Sequence, residues 1–327
     1  MKVLFIGGTG TISSACTELA ISKGIDLYLL NRGKSTKKSN VEGAKIITGD
    51  IRSDEISATL KDHTFDVVVD WIAFEPEHIQ KDIDLFKGKT KQFVFISSAS
   101  IYQTPPQKLP VTEDTPLENP FWQYSRDKIA CERLLEKANQ EIGLTYTIVR
   151  PSHTYDKALL PITGGYTALQ RISKGLPVVV HGDGTSIWTF THHKDFAVGF
   201  VGLLGNTKAY NQAFHITNNE LLSWNAIYNL LAGELNVEPN LVYVPSDIIA
   251  KYDSEIGDGL LGDKAHSMIF DNSKIKSIVP EFDPKIPFSE GVKEMVAWHK
   301  TNTLNLEPDP AINKLMDQLI KDLAPFR

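Results

Sequence analysis

The chain has little cysteine, little excess of charge and no long apolar run, and each shortage excludes a class of protein. Only Cys16 and Cys131 are cysteines among 327 residues, too few for a disulfide scaffold or a zinc ribbon, and this usage fits a reducing cytoplasm. The net charge of −6 at pH 7 argues against generic coating of nucleic acid. Without an uncharged apolar run of about 18 residues, no helix is expected to cross a bilayer.

Short apolar runs alternate with amphipathic helical patterns over the first 150 residues. Near-continuous apolar runs belong to parallel strands that helices cover on both faces. The alternation therefore predicts an α/β fold, a Rossmann-type doubly wound parallel sheet. The predicted strands are Lys2–Ile6, Leu27–Leu30, Lys45–Thr48, Val67–Trp71, Phe93–Ile96 and Thr145–Val149, and the helices between them include Thr11–Ser22, Asp54–Lys61, Glu77–Phe86 and Tyr124–Glu141.

The regular alternation fades after Arg150-Pro151, where Gly, Pro and Thr become frequent. We therefore expect a dinucleotide-binding domain over residues 1–150 and a smaller, mainly substrate-binding C-terminal lobe over residues 151–327. The apolar residues within Lys194–Leu204 predict that about residues 191–217 return to the first domain. Later helical candidates are Ser223–Leu235, Pro287–His299 and Ala311–Leu323.

A glycine-rich turn follows the first predicted strand and leads into a helix pattern. It reads Gly7-Gly8-Thr9-Gly10-Thr11-Ile12-Ser13. Glycines at such a turn let backbone N–H groups approach a pyrophosphate, whose negative charge the helix N-terminus favours. Ser13 stands at the third small position and still permits close packing of helix on strand. The context of strand, turn and helix predicts a dinucleotide site.

The end of the second strand indicates which dinucleotide is used. An acidic residue about 20 residues after the glycines would bind the ribose 2′-hydroxyl of NAD, but Asn31 and Arg32 stand there. Because a guanidinium suits a phosphate by charge and geometry, NADP(H) is the preferred cofactor and NAD the alternative. The competing interpretation is that Arg32, Lys34, Lys37 and Lys38 form a solvated loop.

Tyr124 and Lys128 are four residues apart, which places them on one face of a helix. A free tyrosine has a pKa near 10, and a nearby ammonium is expected to stabilise the phenolate and lower that pKa. Other polar residues follow strands at their carboxyl ends, where ligands of open parallel sheets bind. They are Asp50 with Ile51, Ser97 with Ser98 and Ser100, and Ser152 with His153.

Each of these strand-end residues has a plainer alternative role. Asp50 caps the adenine edge of a cofactor or is a simple turn aspartate. The serines hydrogen-bond a substrate hydroxyl or cap the end of their strand. His153 contacts substrate or packs structurally. Adjacent His192 and His193 point apart on a helix and lack a partner cluster, so no metal site is expected.

In order and spacing the motifs resemble the short-chain dehydrogenase/reductase superfamily in its extended, NAD-dependent epimerase/dehydratase form. The resemblance covers the first 150 residues well. It implies that Ser98, Tyr124 and Lys128 are a catalytic triad, that Pro151 lines the nicotinamide pocket, and that the chain forms a homodimer through the Tyr-x-x-x-Lys helix. The motifs that carry it are Gly7-Gly8-Thr9-Gly10, Asp50-Ile51, Ser97–Tyr102, Tyr124–Lys128 and Arg150-Pro151.

The chain departs from the family's pattern at two further places. The fourth strand ends Asp70-Trp71-Ile72-Ala73-Phe74 where the family usually has a His-x-Ala-Ala-like segment. Trp188 lies near the position at which sugar-nucleotide members commonly carry an arginine for the diphosphate, with Arg171 and Lys174 the nearest cations in sequence. A neutral indole cannot replace that arginine, which argues against a UDP- or dTDP-sugar substrate.

Together these observations predict an NAD(P)-dependent oxidoreductase or epimerase/dehydratase with Tyr124 as acid/base, acting on a hydroxyl or carbonyl carbon of a small, sugar-like substrate. Ala99 and Ser100 do not supply the extra acid and base of a dehydratase, which favours a reductase or epimerase. The alternative is a non-catalytic protein that senses NADP(H) or binds RNA.

The expected cofactor contacts are Gly7, Thr9, Gly10, Thr11, Ile12, Asn31, Arg32, Asp50, Ile51, Ala73, Ser97, Tyr124, Lys128, Pro151 and His153. The expected substrate contacts are Ser98, Ser100, His153 and Trp188.

Overall fold

The computed structural model describes residues 1–33, 42–302 and 306–324. Within them, a central sheet contains seven strands in the order β3-β2-β1-β4-β5-β6-β11, and every neighbouring pair is parallel. The described strands are β1 Lys2–Ile6, β2 Asp26–Asn31, β3 Lys45–Thr48, β4 Phe65–Asp70, β5 Thr90–Ile96, β6 Tyr146–Pro151, β7 His153–Tyr155, β8 Val178–His181, β9 Ile187–Trp188, β10 Phe190–His192, β11 Gln212–Ile216, β12 Leu222–Ser223 and β13 Leu241–Val244.

Helices cover both faces of this sheet and form the second lobe. Pro76 begins α3 at a position where its missing N–H is harmless, and Gly143 ends the long α4 with a φ of 71°. The described helices are α1 Ser13–Ser22, α2 Ile56–Thr59, α3 Pro76–Phe86, α4 Gln123–Ile142, α5 Gly165–Ser173, α6 His193–Leu203, α7 Trp224–Leu235, α8 Ser246–Tyr252, α9 Ser254–Gly259, α10 Ser273–Ile278, α11 Phe288–Thr301 and α12 Pro310–Leu323. None of them is long and apolar enough to cross a membrane.

The strands read as continuous apolar runs because both faces of the sheet are buried. Along β1, Val3 and Phe5 face the core beneath α1 and α6. The alternate residues Leu4 and Ile6 face the core beneath α3 and α4. All four side chains are fully buried, so β1 lies at the centre of the molecule and its carboxyl end opens at the middle of the sheet edge.

The second lobe has its own apolar core, built largely from aromatic side chains. Trp188, Phe190 and Trp224 are almost fully buried there, and the Phe190 and Phe288 rings stack with centroids 4.8 Å apart. Small two-stranded sheets pair β7 with β10, β8 with β13 and β9 with β12. The lobe therefore packs around aromatic rings rather than around one large sheet.

Three later elements return to the first lobe. Helix α6 packs against α1, β11 pairs with β6 from Gln212 to Ile216, and α10 packs against α6 and β11. The first two lie within the segment that the sequence predicts to return, about residues 191–217. The third, α10, was not anticipated because its short pattern around Ile275 carries little periodic signal.

The predicted fold class is confirmed, and the elements differ mainly at their ends. Strand β5 begins at Thr90 rather than Phe93, because Gln92 is buried and bonded to Thr147 Oγ1 (2.8 Å) and so belongs inside the sheet. The helix predicted over Asp54–Lys61 is only the single turn of α2, Ile56–Thr59, since turns bracket it on both sides. Strand β6 runs through Pro151, one residue past the predicted lobe boundary.

Candidate active site

The glycine turn at the carboxyl end of β1 has the backbone shape that only glycine adopts easily. Gly7 and Gly8 have φ values of 98° and 105°, and a Cβ at Gly8 would lie 2.8 Å from Leu29 Cδ2. Thr17 Oγ1 on α1 donates to Gly8 O at 2.8 Å and holds the turn against the helix. The turn therefore leads directly into the N-terminus of α1, whose dipole favours an anion such as a pyrophosphate.

Two side chains maintain this turn. Ser13 Oγ accepts a hydrogen bond from Gly10 N at 2.9 Å, a contact that a glycine at that position could not provide. The amide nitrogen of Asn31, oriented to satisfy both carbonyls, lies 3.0 Å from Gly7 O and 3.1 Å from Leu30 O. Asn31, predicted as a cofactor contact, thus positions the turn from the end of β2.

Lys128 is a buried charged group near the turn and is 2% exposed. Its Nζ donates to Ala73 O at 2.7 Å and to Ile96 O at 2.8 Å. The Nζ also lies 5.6 Å from the centre of the Tyr124 ring. Burial lowers the pKa of Lys128 to about 8. The ammonium therefore ties the loop after β4 to the end of β5, beside the tyrosine ring.

Tyr124 has a raised pKa, contrary to the expectation from its spacing to Lys128. Burial raises the pKa to about 12; a hydrogen bond with Ser98 opposes this shift, and the negative charge of Asp263 adds to it. The expectation that Lys128 lowers this pKa is wrong for this structure, because the lysine directs two of its donors to backbone carbonyls. At neutral pH Tyr124 is a protonated phenol, ready to donate a proton.

A chain of hydroxyl groups runs from the phenol into α4. Ser98 lies close enough to the phenol to oppose the rise of its pKa, and Ser98 Oγ lies 2.9 Å from Ser100 Oγ, which lies 2.8 Å from Ser125 Oγ. Ser125 is fully buried and was not singled out in the sequence. Among the described residues, the buried Ser97 Oγ has no hydrogen-bond partner, which fits a group that bonds a ligand.

The predicted residues meet at one cavity of about 270 Å³. His153 lines it, and burial lowers the pKa of this imidazole to about 3, so it is neutral at physiological pH. The walls from the first lobe and the β6–β7 connection are Ile12, Ser97–Ser100, Trp122, Tyr124 and Pro151–Thr154. The walls from the second lobe are Trp188, Asp263, Lys264 and Phe270. The phenol therefore shares one cavity at the carboxyl edge of the sheet with Ile12, which follows the glycines of the turn.

This combination of turn, helix and cavity agrees with comparisons to known proteins. The family model for the NAD dependent epimerase/dehydratase family matches residues 3–216. This chain belongs to that family. The predicted resemblance is confirmed, and the family match supports the prediction of an enzyme over that of a non-catalytic binding protein.

Two curated relatives match parts of this epimerase/dehydratase chain. It is 32% identical to the UDP-glucose 4-epimerase of Lactobacillus helveticus, over 46% of this chain and 51% of that protein. It is 27% identical to the chloroplast stem-loop binding protein of 41 kDa b of Arabidopsis thaliana, over 69% of this chain and 61% of that protein. The chain thus spans between half and two thirds of the length of these relatives.

A solved structure shares the fold of this family member over nearly its whole length. The UDP-glucuronic acid 4-epimerase from Bacillus cereus, solved with UDP-glucuronic acid and NAD, superposes with a TM-score of 0.75 at 20% identity. The match covers 92% of this chain and 99% of that chain. Both lobes therefore have the architecture of an extended epimerase.

Several predicted cofactor contacts, including the glycines of the turn, do not line the cavity, and four of them lie farther along the sheet edge. Arg32 is exposed at the end of β2. Asp50 takes the turn role that was its alternative, since its Oδ1 accepts from Arg52 N at 3.0 Å. Ile51 is 2% exposed and packs in the core, which leaves only its backbone for a ligand, and Ala73 is buried. Lys34, Lys37 and Lys38 lie outside the described residues.

The unusual segment after β4 has a structural explanation. Asp70 is fully buried at the end of the strand. It accepts hydrogen bonds from Ile72 N at 2.5 Å and from Arg52 Nη2 at 2.8 Å. Arg52 also bonds the buried Asp82 at 2.9 Å. Because buried carboxylates need such partners, the aspartate fixes the loop that carries Ala73 to Lys128.

Trp188 lies near the position at which the resemblance implies a diphosphate-binding arginine, and among the described residues that line the cavity Lys264 is the single lysine or arginine. The indole is 2% exposed and lines the cavity. Its Nε1 is buried without a hydrogen-bond partner among the described residues. Arg171, the nearest arginine in sequence, instead bonds Asp317 at 2.7 Å and Pro177 O at 2.7 Å, away from the cavity.

Asp263 and Lys264 are the charged cavity residues that the sequence did not reveal. They lie in a π-helical turn, Leu260–Lys264, and no recognisable motif marks this part of the chain. Asn119 was also missed, although its amide links the serine segment to this turn by donating to Ser100 O (2.8 Å) and Gly262 O (2.6 Å). A π-turn is often found at functional sites, but its sequence has no signature.

Proposed function

We propose that this chain is a nicotinamide-dependent enzyme that exchanges a hydride at a hydroxyl- or carbonyl-bearing carbon of a small, sugar-like substrate. The observation that carries the proposal is the shared cavity: Tyr124 and Ser98 line it, Lys128 lies behind them, and the glycine turn borders it. The named epimerases among its relatives act on nucleotide sugars. Reduction, epimerisation and dehydration all begin with hydride exchange, so they share this site.

The glycine turn and Ser97 fit a bound nicotinamide dinucleotide. Gly7 and Gly8 form a turn that side chains would disturb, because both have positive φ and a Cβ at Gly8 would collide with Leu29, and Ser97 offers an unpartnered hydroxyl. A bound nicotinamide supplies the site that gives or accepts the hydride. We place the pyrophosphate at the N-terminus of α1 and the nicotinamide near Pro151, with Ile12 between the turn and the cavity.

Tyr124 moves the proton of the reaction. As a phenol with a pKa of about 12, it donates its proton to a substrate carbonyl oxygen in the reducing direction. In the reverse direction the phenolate, which is the form left after that donation, receives the hydroxyl proton and becomes the phenol again. Ser98 positions that oxygen, and the chain to Ser100 and Ser125 holds the Ser98 hydroxyl in place. Lys128 fixes the two strand ends between which the substrate carbon must lie.

We propose NADP(H) as the preferred cofactor, with Arg32 as the residue that selects it. Arg32 is exposed at the carboxyl end of β2, and Asn31 beside it turns toward Gly7 rather than offering a carboxylate to a ribose. A thermal-shift comparison of NAD, NADH, NADP and NADPH tests the preference. Equal stabilisation by NAD(H) and NADP(H) would show that Arg32 does not select a phosphate.

We also propose a homodimer in a reducing compartment. Helices α3 and α4 pack side by side, and the cleft between them presents apolar side chains such as Leu134 and Ile142 to solvent. Burying this surface against a second copy follows the pattern of the family, and light scattering of the purified chain tests it. Cys16 and Cys131 are buried free thiols, which fits a cytoplasmic enzyme.

Replacing Tyr124 by phenylalanine tests the proposed function. Because only the hydroxyl is lost, turnover should fall by about 10²- to 10⁴-fold, whereas the dissociation constant of the cofactor should stay within about twofold. Tyr243→Phe on β13, an exposed tyrosine in the second lobe, is the matched control and should keep full turnover. Retention of activity in Tyr124→Phe would remove the acid/base role from this residue.

A further inference from the structure

The second lobe contributes an ion pair to the catalytic cavity. Asp263 and Lys264 both line it, and Lys264 Nζ lies 3.6 Å from Asp263 Oδ2. Their side chains are only 15% and 19% exposed. Among the described residues, Lys264 is the ionic partner of this carboxylate, and a carboxylate has further acceptor positions that a ligand can use.

The backbone of this pair is held in place by several hydrogen bonds from the second lobe. The carbonyl oxygen of Lys264 accepts three hydrogen bonds, from His181 Nε2 (3.2 Å), Ser186 Oγ (3.1 Å) and Trp224 Nε1 (3.3 Å). These donors come from three separate segments of the second lobe. A π-helical turn fixed from so many directions presents its side chains at a defined position, as a binding site requires.

The first lobe holds the same turn from the other side. Asn119 Nδ2 donates to Gly262 O, and its Oδ1 accepts from the backbone N–H groups of Phe121 and Trp122 at 3.1 Å. A side chain at Gly262 would collide with Trp122, because its Cβ would lie 2.7 Å from Trp122 Cβ. The turn therefore closes directly on the segment that begins α4 and carries Tyr124.

The charges around the cavity do not suit a diphosphate. Among the described residues that line it, Lys264 is the single lysine or arginine, and Asp263 balances its charge. Burial raises the pKa of Asp263 to about 6, against the effect of Lys264, so the carboxylate is mainly ionised at neutral pH. His153 is neutral. A diphosphate would meet no net positive charge and one carboxylate in a partly desolvated site.

The hydrogen-bonding groups around the cavity suit hydroxyl groups instead. Asp263 is an acceptor, whereas Lys264 and the indole N–H of Trp188 are donors. The buried Trp188 Nε1 and Ser97 Oγ lack partners among the described residues, and both residues line the cavity. Its volume, about 270 Å³, is slightly below the range of about 300–1,000 Å³ that is usual for drug-sized ligands.

We propose that Asp263 is a specificity-determining residue that accepts a hydroxyl hydrogen of an uncharged sugar or polyol, while Trp188 and Lys264 donate to its oxygens. The substrate class is then a free polyhydroxylated compound and not a nucleoside diphosphate sugar. This inference rests on the proposed hydride-exchange function, and it names the substrate of that same site.

The first experiment compares two arms of substrates with the full chain and an oxidised cofactor. One arm holds D-glucose, D-galactose, D-xylose, sorbitol and myo-inositol, and the other holds UDP-glucose and UDP-glucuronic acid. Oxidation of one hydroxyl carbon passes one hydride to the cofactor and releases one proton through Tyr124. The reduced nicotinamide that forms is measured by its absorbance. Products are separated chromatographically to detect epimers.

The outcomes separate this inference from the proposed function. Conversion in the uncharged arm alone supports both. Conversion of a UDP-sugar with an equal or lower KM overturns the inference and leaves the proposed function standing. Absence of hydride exchange in both arms refutes the proposed function, and the inference fails with it.

Asp263→Asn then tests the residue itself on the compound that is converted. Loss of a charged acceptor should raise KM by about tenfold to a hundredfold, while kcat stays within about threefold and cofactor affinity is unchanged. Glu255→Gln makes the same charge change on exposed α9 and should alter none of these quantities. An unchanged KM in Asp263→Asn would overturn the assignment, and an equal loss in both variants would show a general charge effect.

Discussion

The buried ammonium of Lys128 makes a quantitative prediction about stability. Its pKa is lowered from 10.5 to about 8 by burial, and this difference corresponds to about 3 kcal/mol. At about pH 7 the lysine is protonated in both the folded and the unfolded chain, so the folded state carries the whole penalty. As pH rises past 8, the folded chain releases the proton first, and the free energy of unfolding increases.

Lys128→Met removes this pH dependence. The wild-type chain should become more stable relative to this variant by about 2 kcal/mol between about pH 7 and pH 9.5. At pH 7 the two should be similar, because methionine relieves the buried charge but leaves Ala73 O and Ile96 O without a donor, at about 1–3 kcal/mol each. Urea unfolding of the chain without cofactor at both pH values measures the difference.

Lys137→Met is the matched control for alkaline effects on the rest of the chain. Lys137 lies on the same helix, but its side chain is 64% exposed, so its variant should follow the wild type at both pH values. A constant difference between wild type and Lys128→Met would refute the reasoning. A difference that shrinks with rising pH would show that Lys128 is held in its charged form by its surroundings.

Two other variants test the frame of the site. Gly8→Ala should destabilise the fold by about 2 kcal/mol or more and weaken cofactor binding, because alanine is strained at this φ and its Cβ meets Leu29. The control is Gly88→Ala, where φ is also positive but the space around the Cβ is open. In thermal unfolding this control should lose less stability than Gly8→Ala, and it should keep its cofactor affinity. Glu132→Gln should cost about 3–5 kcal/mol, since it leaves a buried arginine with a neutral partner at a pair separated by 2.6 Å. Exposed Glu141→Gln should change stability by less than about 0.5 kcal/mol in urea unfolding, and equal losses in the two glutamate variants would contradict the buried-pair argument.

The hydroxyl chain links the two lobes of the site to one another. Ser100 bonds Ser98 and Ser125 through its hydroxyl, and its backbone carbonyl accepts from Asn119. Asn119 in turn holds the π-helical turn that carries Asp263. The acid/base group and the proposed specificity group are therefore positioned by one continuous set of hydrogen bonds, in which a shift of either lobe would move both.

Local patterns were sufficient to predict most of the first lobe. The apolar runs of β1 to β6, the glycine turn and the four-residue spacing of Tyr124 and Lys128 depend on neighbours within a few residues, where sequence and backbone geometry are directly coupled. The parallel sheet follows from these runs because buried strands need helices on both faces. The assignment of the family also rests on these short motifs, and the match over residues 3–216 confirms it.

Long-range packing decided the surroundings of Tyr124 and the second-lobe residues at the cavity, and no local sequence pattern encodes such packing. The contacts of Lys128 with Ala73 and Ile96 join residues 55 and 32 positions apart, and burial raises the pKa of Tyr124, which the spacing to Lys128 predicted to be lowered. Asn119 reaches Gly262 across 143 positions, bringing Asp263 to the cavity. The sequence by itself determined the sheet, the turn and the helix that carries the phenol, because each forms from adjacent residues. Only the tertiary structure decided which charges surround that phenol, because burial and distance exist only once both lobes have packed together.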